Sequence, residues 1–283
     1  MRRVLVCLLL VGCEKSGGVK IPLRFHPPSG AVYHHTLEQY TKVTMPSTGP
    51  LGGAGNQDLR LRLFSTQTVR GPAAAGGTEI DIVVDSASVE MPVMSPDMTS
   101  QLARLRGTRS TAVFDERSQI VRNDFSGLQG APPELANQMA AVLQGMAYAF
   151  PEQPVGRGDS WTVSMKLPLE QFGGTNAARA GSAQTKLTVR EIRADNADTS
   201  VIFDIKTTFP TGPIQLAVAG QNGTMRLSGE LNGFQQFSIS RGTVVDASVK
   251  GTSNLNITIA SLGVRDMKIT TQTESSIHLA GAK

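Results

Sequence analysis

The sequence of 283 residues predicts a mainly β protein built on one large curved antiparallel sheet, a barrel or half-barrel of about a dozen strands, with two amphipathic helices packed on it. Three observations lead to this prediction. Apolar and polar residues alternate along most of the chain after Gly30. The phase of the alternation changes within one segment, and two other segments replace it with the spacing of a helix.

The alternation identifies the strands. Leucine and arginine alternate over residues 59–63, and the same period of two recurs, with few exceptions, in 161–167, 201–205, 214–218 and 255–259. Successive side chains of a strand point to opposite faces of its sheet. Each of these strands therefore has one apolar and one polar face, which is typical of an antiparallel sheet with solvent on one side.

The change of phase occurs in residues 78–91, TEIDIVVDSASVEM. Apolar residues occupy even positions from 80 to 84 and odd positions from 87 to 91. A slip of one residue moves side chains to the other face, so we predict a bulge or sharp bend near Asp85 and Ser86. Because bulges curve a sheet, a barrel or half-barrel is favoured, and two packed sheets are the alternative.

Two segments are predicted to be amphipathic helices. The first, 96–106, has Ser95 as a candidate N-cap, Pro96 at the first helical position and Gly107 at its end. The second is 132–149. Their apolar stripes are Met98, Leu102 and Leu105 in the first, and Leu135, Met139, Val142, Met146 and Phe150 in the second. We expect both helices to pack on one face of the sheet or to close one of its ends.

The first residues have the layout of an export signal. Arg2 and Arg3 form a basic head, and residues 4–11 form an apolar run, as in the n-region and h-region of a signal peptide. The run is far shorter than the roughly 20 residues that a membrane-spanning helix needs. Residues 1–12 are therefore predicted to be a signal peptide that is removed.

Residues 10–13, Leu-Val-Gly-Cys, resemble the lipobox of bacterial lipoproteins. The resemblance implies that a diacylglyceryl group is transferred to the sulfur of Cys13 and that the chain is cut just before this residue. We therefore divide the mature chain into a lipidated, flexible tether at 13–29 and a single β-rich domain at 30–283. An ordinary secretory signal with a chance or buried cysteine is the alternative.

A lipid anchor would make the membrane the first partner of the protein. Each buried methylene contributes about 0.8 kcal/mol, so two or three acyl chains on one cysteine give a lasting attachment. The resemblance thus implies a lipid-anchored protein of the bacterial cell envelope. Glu14 follows Cys13, and by the same resemblance the lack of an aspartate there favours the outer membrane over the inner membrane.

Composition excludes several functions. The formal net charge is +4 and the basic residues are scattered, so the electrostatic signature of a nucleic-acid-binding protein is missing. Aromatic residues make up only 5% of the chain, which disfavours stacking platforms for bases. Cys7 leaves with the signal peptide and Cys13 would be acylated, so neither cysteine-based catalysis nor a thiolate metal site is expected.

No metal, cofactor or catalytic site is predicted. His34 and His35 are neighbours in a predicted strand and point to opposite faces, so they cannot easily bind one ion together. The sequence has no nucleotide-binding or nucleophile-elbow motif. Carboxylates are available, but nothing in their spacing brings two of them together, and we expect that the protein is not an enzyme.

Residues 151–161, PEQPVGRGDSW, contain the Arg-Gly-Asp tripeptide of integrin ligands at 157–159, and a turn before Trp161 explains it more simply. The same stretch resembles the Pro-x-x-Pro-Val and Gly-Asp-x-Trp pattern of a family of predicted bacterial lipoproteins of unknown function. The resemblance covers most of residues 30–280 and implies no activity.

Methionine is frequent in and near the two predicted helices, and its flexible, polarizable side chain packs against varied apolar partners. We therefore predict a cavity for lipid or another apolar ligand beneath the helices, by analogy with the half-barrel of lipoprotein carriers. Its candidate lining residues are Met98, Leu102, Met139, Val142 and Met146. The protein would then be a non-catalytic binding module. The alternatives are ordinary core packing, or a structural or assembly lipoprotein that docks another envelope protein.

Overall fold

The computed structural model describes residues 19–46, 55–74, 76–92, 96–124, 148–166, 182–195, 198–209, 212–218 and 221–281. Most of these residues belong to strands. The helix α1 (Pro96–Leu105) and a short 3-10 helix (Ala260–Leu262) interrupt the strand succession. The strands are β1 (Val32–Thr44), β2 (Asn56–Pro72), β3 (Thr78–Glu90), β4 (Arg109–Phe114), β5 (Ile120–Asp124), β6 (Ser160–Lys166), β7 (Ser182–Asp195), β8 (Asp198–Thr208), β9 (Pro213–Val218), β10 (Gln221–Ser238), β11 (Thr243–Ile259) and β12 (Val264–Leu279).

All 12 strands join one antiparallel sheet in the order β5-β4-β3-β2-β1-β12-β11-β10-β8-β7-β6, with β9 paired to the first part of β10. The order is a meander except that β10 passes β9 to pair with β8, and that β1 pairs with β12. Among the described residues β5 and β6 each have a single neighbour, so the sheet is open and not a closed barrel. The mainly β class and the single large antiparallel sheet are confirmed.

The sheet bends at a bulge in β3. Phe64 of β2 pairs with Ser86, whereas the next residue, Ser65, pairs with Val84. Asp85 therefore has no register partner in β2, and the alternation of β3 changes face at this residue. The bulge predicted from the sequence is confirmed, and such an extra residue increases the local twist and curvature of a sheet.

Glycines bring β10 and β11 unusually close together. A β-carbon on Gly233 would lie 1.9 Å from the backbone oxygen of Ser248, and one on Gly251 would lie 2.0 Å from that of Glu230. No real side chain approaches a backbone oxygen so closely, so both positions require glycine. Glycines inside strands mark tight bends, and this pair lies near the middle of the sheet.

Two segments outside the sheet cover one end of its apolar face, the end that holds the turn between β10 and β11. These covering segments are residues 21–25 and 148–155. They are joined at Ile21 and Val155, which exchange two backbone hydrogen bonds of 2.9 Å. A third connection fastens the second segment to the hairpin of β4 and β5, because the backbone N–H of Phe150 donates to the Arg117 oxygen at 2.8 Å.

The covering segments supply large apolar side chains to the core. Leu23, Phe25 and Phe150 are buried in one cluster with residues of β3, β4, β7, β8 and β10. The ring of Phe150 meets that of Phe237 edge to face at 4.8 Å, and the ring of Phe25 lies 5.0 Å from that of Phe114. Strands that are far apart in the sheet order thus contact the same segments, which shows that the sheet is curved around them.

The predicted tether at 13–29 needs correction, because part of it belongs to the folded domain. Leu23 is fully buried and Phe25 is nearly so. Ile21, Leu23 and Phe25 alternate with polar or small residues and face inward at every second position, which is the pattern of a strand rather than of a tether. The domain therefore starts before residue 30. Residues 1–18, with the predicted signal peptide and Cys13, lie outside the described residues.

One of the two predicted helices is found. The helix α1 begins at Pro96, ends at Leu105 and is followed by Gly107 with a φ of 78°, as the sequence predicted; it lies against β3. Of the second predicted helix, 132–149, only the last two residues are described, and they are not helical. No helix within the described part of the chain is long and apolar enough to span a bilayer.

Candidate ligand-binding cavity

A partly open cavity of about 220 Å³ lies on the apolar face, next to the covered end. Tyr148 of the covering segments forms one part of its wall, and Phe209, just after β8, forms another. The strands supply the rest. Their main apolar contributions are Leu37 of β1, Ile205 of β8, Leu231 of β10, Ala247 and Val249 of β11, and Ile277 of β12.

The strand register explains why these distant residues meet. Leu37 pairs with Ile277, which pairs with Ala247, which pairs in turn with Gln235. Residues in register across neighbouring strands share a face of the sheet. Four strands therefore place one row of side chains across the floor of the cavity, although these residues are widely separated in the sequence.

The cavity exists because small residues occupy the next row. Ser275 pairs with Val249, Val249 with Gly233, and Gly233 with Ile205. Gly233 has no side chain to fill the space between its larger neighbours. Its close contact with the Ser248 backbone also prevents a side chain at this position. The same residue thus bends the sheet and leaves room beside the bend.

The wall of the cavity carries a few polar groups. The hydroxyl of Thr207 lies 2.8 Å from that of Thr185, which is outside the lining, and the two satisfy each other. Gln235 is only 4% exposed, yet its side-chain amide has no hydrogen-bond partner among the described residues. Ser275 also lines the cavity and is half-buried. The apolar surface therefore includes one unsatisfied amide.

The cavity is electrically neutral as far as its described lining goes, since none of these side chains is Asp, Glu, Lys or Arg. Burial raises the pKa of Tyr148 to about 12, so its phenol stays protonated. His35 lies two residues before Leu37 on the same face and is 5% exposed. Burial lowers the pKa of His35 and the neighbouring His34 lowers it further, while the hydrogen bond from its Nε2 to the Val244 oxygen at 3.3 Å acts in the opposite direction.

The other face of the sheet is polar and charged. Glu38 and Arg62 form an ion pair at 2.8 Å, and the Arg60 guanidinium lies 5.5 Å from the centre of the Tyr40 ring. These side chains and Glu90 line a shared depression of about 520 Å³. Charges of both signs compensate each other here. Within the described ranges, no three His, Cys, Asp or Glu side chains come together as ligands for a metal ion.

The structure places only two of the five residues predicted to line a cavity, Met98 and Leu102. Leu102 is buried in α1 and is not among the described lining residues, and α1 lies against β3. Met98 belongs to the same helix. Met139, Val142 and Met146 lie outside the described residues, so their contribution remains a prediction. The cavity does include a methionine, Met165 of β6, which the sequence analysis assigned only to a strand.

Sequence reasoning missed the strand residues that form the cavity, but two signals for them exist. Gly233 and Gly251 lie inside long alternating runs, where glycine is unfavourable unless the backbone requires it. Gln235 has the same parity as Leu231 and Phe237, which places a polar side chain on the apolar face. A glycine and an amide on the apolar side of one strand indicate both the space and its polar group.

Comparison with known proteins finds a similar fold but assigns the chain to no family. No protein-family model matches the sequence, and no curated protein sequence matches it significantly. A structure of lipovitellin superposes with a TM-score of 0.51 at 12% sequence identity, covering 91% of this chain and 25% of the lipovitellin chain. This chain therefore spans about a quarter of lipovitellin, and the similarity shows a shared sheet architecture.

A second similar structure is DynF from the dynemicin biosynthesis pathway of Micromonospora chersina. Its TM-score is 0.23 at 7% identity, with 93% of this chain and 86% of DynF covered. A TM-score this low carries no argument about fold or function.

Proposed function

We propose that this protein is a non-catalytic binding module that holds a lipid or another apolar ligand in the cavity on its apolar sheet face. The observation that carries the proposal is the cavity of about 220 Å³, whose described lining is mainly apolar and uncharged. An engineered apolar cavity of about 150 Å³ stays dry and binds benzene. This cavity is larger, so it suits a ring or a section of an acyl chain.

The rest of a longer ligand has a path along the same face. Leu227, Leu255 and Ile269 form a further row in register beyond the cavity, and all three are half-buried. Apolar surface that is only half-buried gains stability when a ligand covers it, by about 25 cal/mol for each Å² removed from water. A chain that enters the cavity would therefore continue over this row.

The similarity to lipovitellin adds support of a weaker kind. That structure is described in terms of its lipid–protein interactions, and its sheet resembles the one described above. A shared fold does not establish a shared function, so the cavity remains the main argument.

Filling the cavity tests this proposal. We expect the wild-type protein to bind the uncharged fluorescent probe N-phenylnaphthylamine and Ser275→Phe to lose this binding, because the new ring would occupy the cavity. Ser276→Phe is the matched control: it changes the adjacent serine, which points to the polar face beside Glu38. Equal binding by both variants, or no binding by the wild type, would contradict the proposal.

We also propose that the protein is anchored to the bacterial envelope, at the outer membrane rather than the inner membrane, through acyl chains on Cys13. The support is the sequence pattern at residues 10–13. Two or three chains would hold the protein firmly, whereas none would leave it free. Cys13→Ala should therefore be released from membranes by a carbonate wash that leaves the wild type attached. A variant that stays attached would contradict the anchor.

A docking function is the second candidate, and the edge strand β5 favours it. Val121 of β5 is 59% exposed, and β5 has one neighbour among the described strands. Exposed sheet edges recruit strands of other proteins. A photo-crosslinking residue at Val121 would then yield a discrete adduct in the native envelope. The same residue at Phe64, which is 39% exposed and is paired with Thr36 on one side and Ser86 on the other, should not, and equal results at both positions would contradict docking at this edge.

A further inference from the structure

We infer that the side-chain amide of Gln235 is the recognition group of the cavity, and that it selects ligands with an uncharged hydrogen-bonding group, such as an alcohol, an ester or an amide, on an apolar chain. This inference rests on the proposed function and specifies its ligand. Three observations support it: the position of Gln235, and, among the described residues, the lack of a partner for its amide and the lack of charged side chains around it.

The position of Gln235 follows from the register. It pairs with Ala247 on one side and with Phe203 on the other, and both are buried on the apolar face. Gln235 itself is 4% exposed and lines the cavity. The neighbouring Gln236 points to the other face. A ligand in the cavity would therefore meet the side chain of Gln235 and not that of Gln236.

The two glutamines differ in their hydrogen bonds. The Gln236 amide donates to the Ser200 hydroxyl at 3.3 Å. The Gln235 amide, by contrast, has no partner among the described residues. A carboxamide offers two donor hydrogens and one acceptor oxygen, and those of Gln235 are not among the fully enclosed atoms without a partner, so they are accessible from the cavity. A buried amide that borders an apolar cavity and lacks a protein partner is therefore placed to bond a ligand.

The surroundings determine which ligand groups suit the amide. The described lining has no side chain of fixed charge, the phenol of Tyr148 stays protonated, and burial lowers the pKa of His35 on the same face. A carboxylate or ammonium group would lose its hydration here and gain no counter-charge, which is very costly. An alcohol or carbonyl group loses much less hydration free energy, and a hydrogen bond to the Gln235 amide replaces its hydrogen bond to water.

A matched series of probes tests the inference on the full-length protein. Octane, octanol and octanoate have the same chain length and differ in the polar group. Each would displace N-phenylnaphthylamine from the wild type, from Gln235→Met and from Gln236→Met. Methionine keeps the length of glutamine without its amide, and the change at Gln236 removes an amide that faces away from the cavity. Gln235→Leu is a second variant without the amide, so the test does not depend on correct folding of Gln235→Met alone.

We expect octanol to displace the probe from the wild type about three- to tenfold better than octane, the range that one net hydrogen bond provides. Octanoate should be the weakest competitor. The octanol preference should disappear in both Gln235 variants and persist in Gln236→Met. Because the amide is unsatisfied, its removal should not weaken binding of octane or lower the melting temperature.

Other outcomes overturn the inference in distinguishable ways. A wild type that binds the probe with no preference for octanol, or a preference that survives in Gln235→Met and Gln235→Leu, would show that the amide is not the recognition group, and the proposed apolar site would stand. A preference for octanoate would refute the uncharged class. A wild type that binds no probe would overturn both the inference and the proposed function.

Discussion

The two parts of the apolar sheet face carry the same kind of side chains but differ in what covers them. At the end near the β10–β11 turn, the covering segments insert Leu23 and Phe150, and the interior is filled by the chain itself. In the middle of the sheet, beyond Tyr148, a cavity remains between the strands. Both parts arise from strands with a period of two, so the pattern of the strands does not determine which part is filled.

The difference shows how one sheet can provide both a core and a binding site. The covered part has large buried residues, such as Phe203 and Phe237, and segments of chain tied over them by hydrogen bonds. Around the cavity, the small residues Ala247, Gly233 and Ser275 leave space between larger neighbours. A site arises beyond the described covering segments, where the side chains of the sheet become small. Substitutions that change one part of the face and leave the other unchanged test this account.

The largest difference in stability is expected between the variants Phe150→Ala and Leu231→Ala. Phe150 is buried against Phe237, so its truncation should lower the free energy of unfolding by about 3–5 kcal/mol. Leu231 is half-buried beside existing space, so its truncation should cost about 1 kcal/mol. Denaturant unfolding measures both values. Similar losses for the two variants would show that the two parts are equally well packed.

The bend between β10 and β11 is tested next by Gly233→Ala. Its β-carbon would meet the Ser248 oxygen, so we expect a loss of about 1–3 kcal/mol or more from overpacking. Gly212→Ala is the control, because nothing lies within 4 Å of the β-carbon at that position. Thermal unfolding of both variants measures the effect. If Gly233→Ala were as stable as Gly212→Ala, the close approach of the strands would not be needed.

A smaller effect is expected at the boundary of the covered end. The indole Nε1–H of Trp161 donates to the backbone oxygen of Ala149 at 2.8 Å, and the ring packs edge to face on Phe203. Trp161→Phe keeps an aromatic ring and removes the donor, so it should cost about 1–2 kcal/mol. Binding of the probe should be unchanged, since Trp161 does not line the cavity. A loss of binding without a loss of stability would place the site elsewhere.

The smallest expected effect is a pH dependence from His35. Its pKa is lowered by burial, so the unfolded chain takes up a proton first, near its ordinary pKa of about 6.5. The contribution of His35 to the free energy of unfolding is therefore fully present above this pH. It falls below this pH by up to about 1.4 kcal/mol for each pH unit. His35→Leu should remove the part of the slope that comes from His35. The other three histidines remain in this variant and serve as an internal control. An unchanged slope in urea unfolding between pH 7 and 5 would contradict a neutral, buried His35.

Local features of the fold could be predicted from the sequence because local signals determine them. The alternation in 161–165 predicted β6, the change of phase predicted the bulge at Asp85, and Pro96 and Gly107 predicted the ends of α1. Each of these depends on a few adjacent residues. The sequence did not decide between a barrel and an open half-barrel, because this depends on whether the edge strands β5 and β6 pair with each other.

The cavity and the covering segments could not be predicted, because they depend on contacts between distant residues. No periodicity shows that Leu37 lies in register with Ile277. Phe150 continues the apolar stripe of the predicted second helix, but its two hydrogen bonds with Arg117 and its contact with Phe237 hold it in a non-helical conformation. Tertiary packing here overrides the local preference.

The central claim, that the cavity on the apolar face holds an apolar ligand, is tested most directly by mass spectrometry of the full-length protein extracted from its native envelope. Intact masses would be compared under non-denaturing and denaturing conditions. We expect an additional mass that is lost on denaturation and is absent from Ser275→Phe. Identical masses under both conditions, where a known lipid-binding protein keeps its ligand, would contradict the claim.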